Sequence, residues 1–494
     1  MMPDMNDLPD RALPVNHPDA EELGVAITHL LAATTFPQLA VSQQIAWILH
    51  SFQIAIVRSL KTLAIIRSLV HFHAQRLYTD PLMGLAEACT LTEAIYGLNW
   101  GDAASLFDMR AYDRYGVQPF RHYVWTRSTT PMGKRRCIDT KKRLKIAYFS
   151  HYADTTRGNA IGPMVRDIAL SHSRSSDAEL IFYCVQWIDP VYIEALTKFG
   201  IQTRCIPQQL AFTRLEELRR VILDDAPDVV ISDVASPIAS WLFIHRIAPL
   251  QMYLDPGYPH WNLPELDWVL LAGKSYQRGF ELPADRWSSI RVKLSDQAFN
   301  ASVAANPPRT RTSISTPLRF GAITRLAKIT NAWISVAETI LSRVPESTLH
   351  IIGTGDPTLV NYLIKNPEYS SRIHLINEMV DIRDYQSHID VFLDTFPFVG
   401  GLVCREILGY GVPVISLLSG EWDELLRDQR DPTLLAQSPD EFVKLARQLA
   451  DEPDFYGKAS KASIRLATQQ SNPADMIYDI EKGIRSAMNH FRYQ

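Results

Sequence analysis

Beyond residue 143 the chain is built from short apolar runs that recur in two sets. LKIAYFS (144–150), ELIFYCV (179–185), PDVVISDV (227–234) and DWVLLAG (267–273) make the first set. RFGAI (319–323), TLHIIGTG (348–355), RIHLI (372–376), DVFLDT (390–395) and VPVISLL (412–418) make the second. Such runs suit strands buried on both faces. Helix-like segments such as LEELRRVILDDA lie between them, and strands alternating with helices imply a parallel sheet covered on both sides. The stretch between Pro307 and Pro317 is polar and proline-bearing, as a linker would be. The predicted fold class is therefore α/β, with two doubly wound, Rossmann-like domains facing a cleft. In such sheets ligands bind at the carboxyl ends of the strands.

Upstream the period changes. Apolar residues recur every three or four positions in AWILHSFQIAIVRSLKTLAIIRSLVHFH and in PLMGLAEACTLTEAIYGL, which predicts an all-helical domain. The expected organisation is a disordered tail over 1–16, a helical domain over 17–130, a basic linker over 131–143 and a first lobe over 144–306. A linker over 307–317, a second lobe over 318–473 and a C-terminal helix over 474–494 that packs back across both lobes complete it. In KRRCIDTKKRLK (134–145) seven residues are basic; the run is either a patch for an anionic partner or a solvated linker.

Composition narrows the function classes. A chain of 494 residues exceeds one core. Its formal net charge of −4 gives no ground for a nucleic-acid partner. Five cysteines, Cys89, Cys137, Cys184, Cys205 and Cys404, show no CxxC spacing, which argues against a metal cluster or a disulfide framework and for a reducing compartment. The acidic N-terminus does not read as a signal peptide. Arg58, Lys61 and Arg67 interrupt the most apolar helical run, so no transmembrane segment is expected. The expected location is cytoplasmic.

Four stretches at strand ends carry candidate chemistry. GAITRLAKIT (321–330) places Arg325 and Lys328 at the opening of a predicted helix, where cations oppose the helix dipole unless an anion docks there. Either they hold a diphosphate or they are solvated surface. FPFVGGLVCREILGYGVPVIS (396–416) offers Gly400 and Gly401, which let backbone approach a ligand, and Glu406 one turn into the next helix. That carboxylate either holds a vicinal diol such as a ribose or is a dipole cap. The turn DPGYPHW gathers Asp255, Tyr258, His260 and Trp261, for an acceptor or sugar or as a structural aromatic turn. SHYADTTRGNAIGPM (150–164) lacks GxGxxG and so gives little support for a nicotinamide enzyme; His151 and Asp154 are its candidate bases.

These motifs carry a resemblance. AITRLAKITNAWISVAETILSRVPESTLHIIG resembles the nucleotide-binding helix of O-linked N-acetylglucosamine transferases, with Lys328 matching their lysine beside the UDP diphosphate. DVFLDTFPFVGG and EILGYGVPVIS resemble the loop and helix around the UDP ribose, with Glu406 where those enzymes carry an aspartate. RIAPLQMYLDPGYP is similar to their turn in the first lobe, and soluble bacterial N-glycosyltransferases share the layout. The resemblance spans roughly 144–490 and implies the two-lobed GT-B architecture. It also implies an inverting glycosyltransferase that moves a hexose or N-acetylhexosamine from a UDP-sugar to a protein or peptide side chain, without a metal or other cofactor. The implied nucleotide-sugar contacts are Thr324, Arg325, Lys328, Met379, Pro397, Phe398, Gly400, Gly401, Leu402 and Glu406. Lys328, His151 and Asp154 are the candidate catalytic groups, and Gly158, Asn159, Tyr258 and His260 the acceptor or sugar contacts. The chain departs from the pattern at Leu402-Val403, where the O-linked enzymes place hydroxyl-bearing residues, and in TTRGNAIGPM, which lacks their histidine. The alternatives are transfer to a glycan, lipid or small molecule, and a non-catalytic partner of an active glycosyltransferase subunit.

Overall fold

A computed structural model describes residues 20–58, 63–101, 110–138, 142–153, 161–207, 212–255, 261–271, 286–290, 309–310, 317–378, 380, 382–420, 422–469 and 473–491. The tail over 1–16 and the candidate residues Asp154, Gly158, Asn159, Tyr258, His260 and Met379 lie outside them.

Helices Ala20–Ala32, Val41–Arg58, Leu63–Leu77, Leu85–Gly101 and Gln118–Arg127 form the N-terminal part. Their apolar faces close on Leu31, Ile48, Ile66, Val70, Leu91 and Leu98, all buried. Polar contacts fix this part to the sheet domain that follows. The Asp113 carboxylate accepts from the Asn262 amide at 2.9 Å, and Arg121 grips Glu265 with contacts of 2.8–3.0 Å. The Tyr112 hydroxyl donates to the Ala235 carbonyl.

The first sheet holds β1 (Lys145–Ala153), β2 (Glu179–Ile188), β3 (Gln202–Pro207), β4 (Val229–Ser232), β5 (Leu250–Asp255), β6 (Trp268–Leu271) and β7 (Trp287–Ser289), in the order β3-β2-β1-β4-β5-β6-β7. The second holds β8 (Arg319–Ile323), β9 (Thr348–Ile352), β10 (Ile373–Ile376), β11 (Val391–Leu393), β12 (Val414–Leu417) and β13 (Leu435–Ala436), in the order β10-β9-β8-β11-β12-β13. Every pairing is parallel, so each lobe is doubly wound as predicted. All nine apolar runs contain strands.

Three details refine the expectations. Within the stretch predicted as a linker, Arg309 is bound to the second lobe: its guanidinium donates to the carbonyls of Tyr410, Ile389 and Gln386 at 2.7–2.9 Å. The C-terminal helix Pro473–Phe491 was expected across both lobes but packs on the first, against helix Ile161–Ser175 and β6 and β7. Gly483 makes this close contact: a β-carbon there would lie 2.5 Å from the Leu270 side chain. Finally, no described helix is long and apolar enough to cross a membrane.

Candidate functional site

The site is assembled by two loops of the second lobe. The first follows β8. The sequence predicts that Arg325 and Lys328 open the next helix, and the structure corrects this. Leu326–Lys328 form a separate 3-10 turn, and the helix proper begins at Asn331. Thr330 decides the boundary: extended itself, it accepts the Trp333 amide on its hydroxyl at 3.2 Å. Such a cap satisfies a helix-start donor, which Arg325 has no side-chain oxygen to do.

Two glycines beyond β9 hold the turn in shape. Gly353 and Gly355 adopt φ of 145° and 142°. A β-carbon on Gly353 would lie 1.8 Å from the Thr324 carbonyl oxygen. The close approach lets the Thr324 amide bond the Ile352 carbonyl at 2.9 Å and the Leu326 amide bond that of Thr354 at 2.8 Å. The run TLHIIGTG thus contributes a turn as well as a strand.

The second loop runs from Asp394 to Gly401, between β11 and helix Leu402–Gly409. Five of its carbonyls accept from side chains, that of Asp394 from the Trp333 indole at 3.2 Å. Thr330 bonds Phe396 at 3.1 Å, Thr395 bonds Phe398 at 2.7 Å, Lys328 bonds Val399 at 3.1 Å and Arg430 bonds Gly400 at 2.6 Å. Asp394 closes the turn from the other side. Its Oδ1 accepts the amides of Thr395 and Gly400 at 3.0 and 2.6 Å, and its Oδ2 accepts the Ser416 hydroxyl at 2.7 Å. Gly400 is required here, because a β-carbon would meet the Cys404 sulfur at 2.5 Å. The helix that follows has no side-chain cap; the Cys404 amide turns back to the Gly401 carbonyl at 3.2 Å, and the amides of Leu402 and Val403 before it are where an anion would dock.

Lys328 joins the two loops. Besides the Val399 carbonyl, its ammonium lies 4.4 Å from the centre of the Phe398 ring. Burial, reinforced by the charge of Arg325, brings its pKa down to about 7. Thr324, Arg325, Leu402 and Glu406 are half-buried around this junction, whereas Pro397 is exposed. Phe398 and Val399, together with Trp422 from beyond β12, belong to the apolar cluster of the first lobe. The glycine loop therefore sits where the lobes meet.

The first lobe presents a polar cluster at the ends of β1 and β4. His151 is buried and its Nε2 lies 2.8 Å from the Ser236 hydroxyl, which also caps helix Pro237–Ile244. The sequence reading passed over Asp233. Its Oδ2 accepts from Ser150 at 2.6 Å, and its Oδ1 has no hydrogen-bond partner among the described residues although the residue is only 4% exposed. Desolvation raises its pKa to about 7. Sequence reasoning missed Arg430 as well; only its nearness to Asp394 in space gives it a role.

No family model matches the chain. Curated relatives are the probable UDP-N-acetylglucosamine--peptide N-acetylglucosaminyltransferases SPINDLY of Solanum lycopersicum and Petunia hybrida. They are 26% and 27% identical over 218 and 227 residues, or 41% and 42% of this chain. The matches cover 23% and 24% of those proteins, so the chain spans about a quarter of the relatives' length. Among solved structures, a lysine-to-methionine variant of the Thermobaculum terrenum O-GlcNAc transferase aligns over 95% of this chain and 89% of its own, with a TM-score of 0.64 and 18% identity. Anabaena HepE in complex with UDP and glucose aligns over 70% of this chain and all of its own, with a TM-score of 0.51 and 13% identity. The resemblance to O-linked N-acetylglucosamine transferases is thus borne out in sequence over part of the chain. The two-lobed GT-B fold is borne out over nearly all of it.

Proposed function

We propose that the chain is a UDP-sugar-dependent glycosyltransferase that moves a hexose or N-acetylhexosamine, with inversion, to a protein side chain. One observation carries this reading most directly. Lys328 bridges the turn after β8 and the glycine loop, beside an uncapped helix start, in a partly desolvated gap. A diphosphate placed there gains the helix amides, the Lys328 ammonium and the Arg325 guanidinium. The same groups oppose the charge that grows on departing UDP, so no metal is required to stabilise it; one such preorganised donor contributes about 3–4 kcal/mol. Glu406, one turn into the helix, is assigned to the ribose diol. The names of relatives and fold neighbours, which mention UDP-N-acetylglucosamine, O-GlcNAc, UDP and glucose, support a UDP-sugar donor and a protein acceptor.

For the acceptor's proton we assign Asp233. Its buried Oδ1 accepts no hydrogen bond among the described residues, and its pKa is raised to about 7, near the value that suits a general base. His151 is the alternative; its Nε2 is engaged by the Ser236 hydroxyl, whereas Asp233 keeps one oxygen without a bond among the described residues.

The decisive measurement is UDP release from a panel of UDP-sugars, with and without peptide acceptors, beside UDP binding by calorimetry. Binding with turnover on a peptide supports the proposal. Turnover on glycan, lipid or small acceptors alone replaces the acceptor class. UDP binding without any turnover favours a non-catalytic partner of another glycosyltransferase, a reading for which Leu402-Val403 after the glycine turn is the motive.

A further inference from the structure

We infer that Cys184 and Cys205 form a thiol pair that peroxide-class oxidants convert into an intramolecular disulfide, making the β2–β3 edge of the first lobe a site of redox modification. The inference stands apart from sugar transfer.

The pair is a product of strand register. β2 and β3 run parallel, with Tyr183 beside Arg204, Cys184 beside Cys205 and Val185 beside Ile206. Neighbouring strands lie about 4.7–4.9 Å apart, inside the roughly 4.4–6.8 Å between α-carbons that a disulfide spans. Side chains in register on adjacent strands leave the sheet on the same face. The two thiols are close enough to shift each other's proton affinity in opposite directions.

The two thiols are not equivalent. β3 is an edge strand, so Cys205 is exposed while Cys184 is buried. The neighbouring Cys205 thiol, and burial after it, push the Cys184 pKa well up, so Cys184 keeps its proton. The protonated Cys184 thiol beside it brings the Cys205 pKa down to about 7. An accessible thiolate beside a resolving thiol is the arrangement in which oxidation proceeds to a disulfide.

The chemistry balances with hydrogen peroxide as oxidant. The Cys205 thiolate attacks one peroxide oxygen, the O–O bond breaks, and the departing hydroxide takes up a proton to become water. Cys205 is left as a sulfenic acid. The Cys184 sulfur then attacks the Cys205 sulfur and expels hydroxide, which leaves as a second water with the Cys184 proton. Two thiols are oxidised and one peroxide is reduced to two waters.

The test is peptide mapping of the intact chain under non-reducing conditions after hydrogen peroxide treatment. The expected product is a Cys184–Cys205 cross-linked peptide, two hydrogens lighter than the reduced pair and restored by a dithiol reductant. Cys205→Ser should abolish the cross-link and leave Cys184 unoxidised. Cys184→Ser should halt at a Cys205 sulfenic acid that dimedone traps. Iodoacetamide at neutral pH should label Cys205 several-fold faster than Cys137, an exposed cysteine outside the pair. Thermal melts of both variants check that they fold. Cross-links confined to other cysteines, or a Cys205 that is neither oxidised nor labelled ahead of Cys137, would overturn the inference.

Discussion

Arg430 and Asp394 form an ion pair sealed beneath the glycine loop, with 3.4 Å between Nη2 and Oδ2 and each side chain 1% exposed. The pair clamps one residue from both ends, because Asp394 accepts the Gly400 amide while Arg430 donates to the Gly400 carbonyl. The backbone proposed to face a diphosphate is therefore held by buried charges.

Removing one partner of a buried pair leaves the other charge uncompensated and typically costs about 3–5 kcal/mol. Arg430→Met should lose stability of that order in urea unfolding and should weaken UDP binding. Combining it with Asp394→Asn should recover part of the stability but not the UDP affinity. Wild-type UDP affinity in Arg430→Met would remove the positioning role.

Lys328→Met should bind UDP much more weakly while melting no lower than the parent. The reason is that a lysine with a depressed pKa is held at a cost in the folded state, and the substitution relieves it. Turnover close to the parent value would count against the diphosphate assignment.

The same lysine gives UDP binding a pH dependence. Its folded pKa of about 7 lies below the ordinary 10.5, so in the free protein the ammonium is present below pH 7 and lost above it. UDP should restore the proton. Affinity should fall as pH rises through 7, with net proton uptake on binding at pH 8, visible as a dependence of the calorimetric heat on buffer ionisation enthalpy. Lys328→Met should show neither effect.

Glu406→Gln should raise the donor KM with a smaller change in kcat, since ribose contacts are shared by ground and transition states. UDP lacking its 2′ and 3′ hydroxyls should bind the variant and the parent equally. If intact UDP also binds both equally, Glu406 is only a dipole cap.

Asp233 supplies an opposite pH signature. Its folded pKa of about 7 is raised from 3.8, so the folded state holds a proton that the unfolded state releases between those values. Its contribution to stability is present below pH 4 and is lost as pH rises towards 7. Asp233→Asn should be more stable than the parent at pH 8 and equal to it in strong acid. In activity, the parent should lose turnover below pH 7, whereas the variant should be slow and lack that limb. An unchanged acidic limb in Asp233→Asn would exclude it as the base.

The fold was legible because most of its central strands are buried on both faces and announce themselves as unbroken apolar runs; β5, whose run LQMYLD carries Gln251 and Asp255, is the exception. The first lobe's edge strands β3 and β7 and the second lobe's β13 do not: QTRCIP and WSS keep polar residues and β13 spans two residues, since an edge strand lacks a neighbour on one side. The loops proposed to hold the nucleotide were legible as local structure, because a turn, its glycines and the next helix are contiguous in the chain. By itself, then, the sequence determined the α/β architecture and the loops around Lys328, Gly400 and Glu406. Only the tertiary structure decided which residues meet across distance. Nothing in the sequence couples Arg430 to Asp394, Ser150 to Asp233 or Cys184 to Cys205. The cysteine pair is set by strand register and the other two by which strand ends and loops the sheet order brings together, and the charge, proton affinity or reactivity of each follows from burial beside a partner remote in sequence. Even the position of Lys328 was settled that way: Thr330 took the helix cap, and the turn before it was left free to swing the ammonium onto the glycine loop.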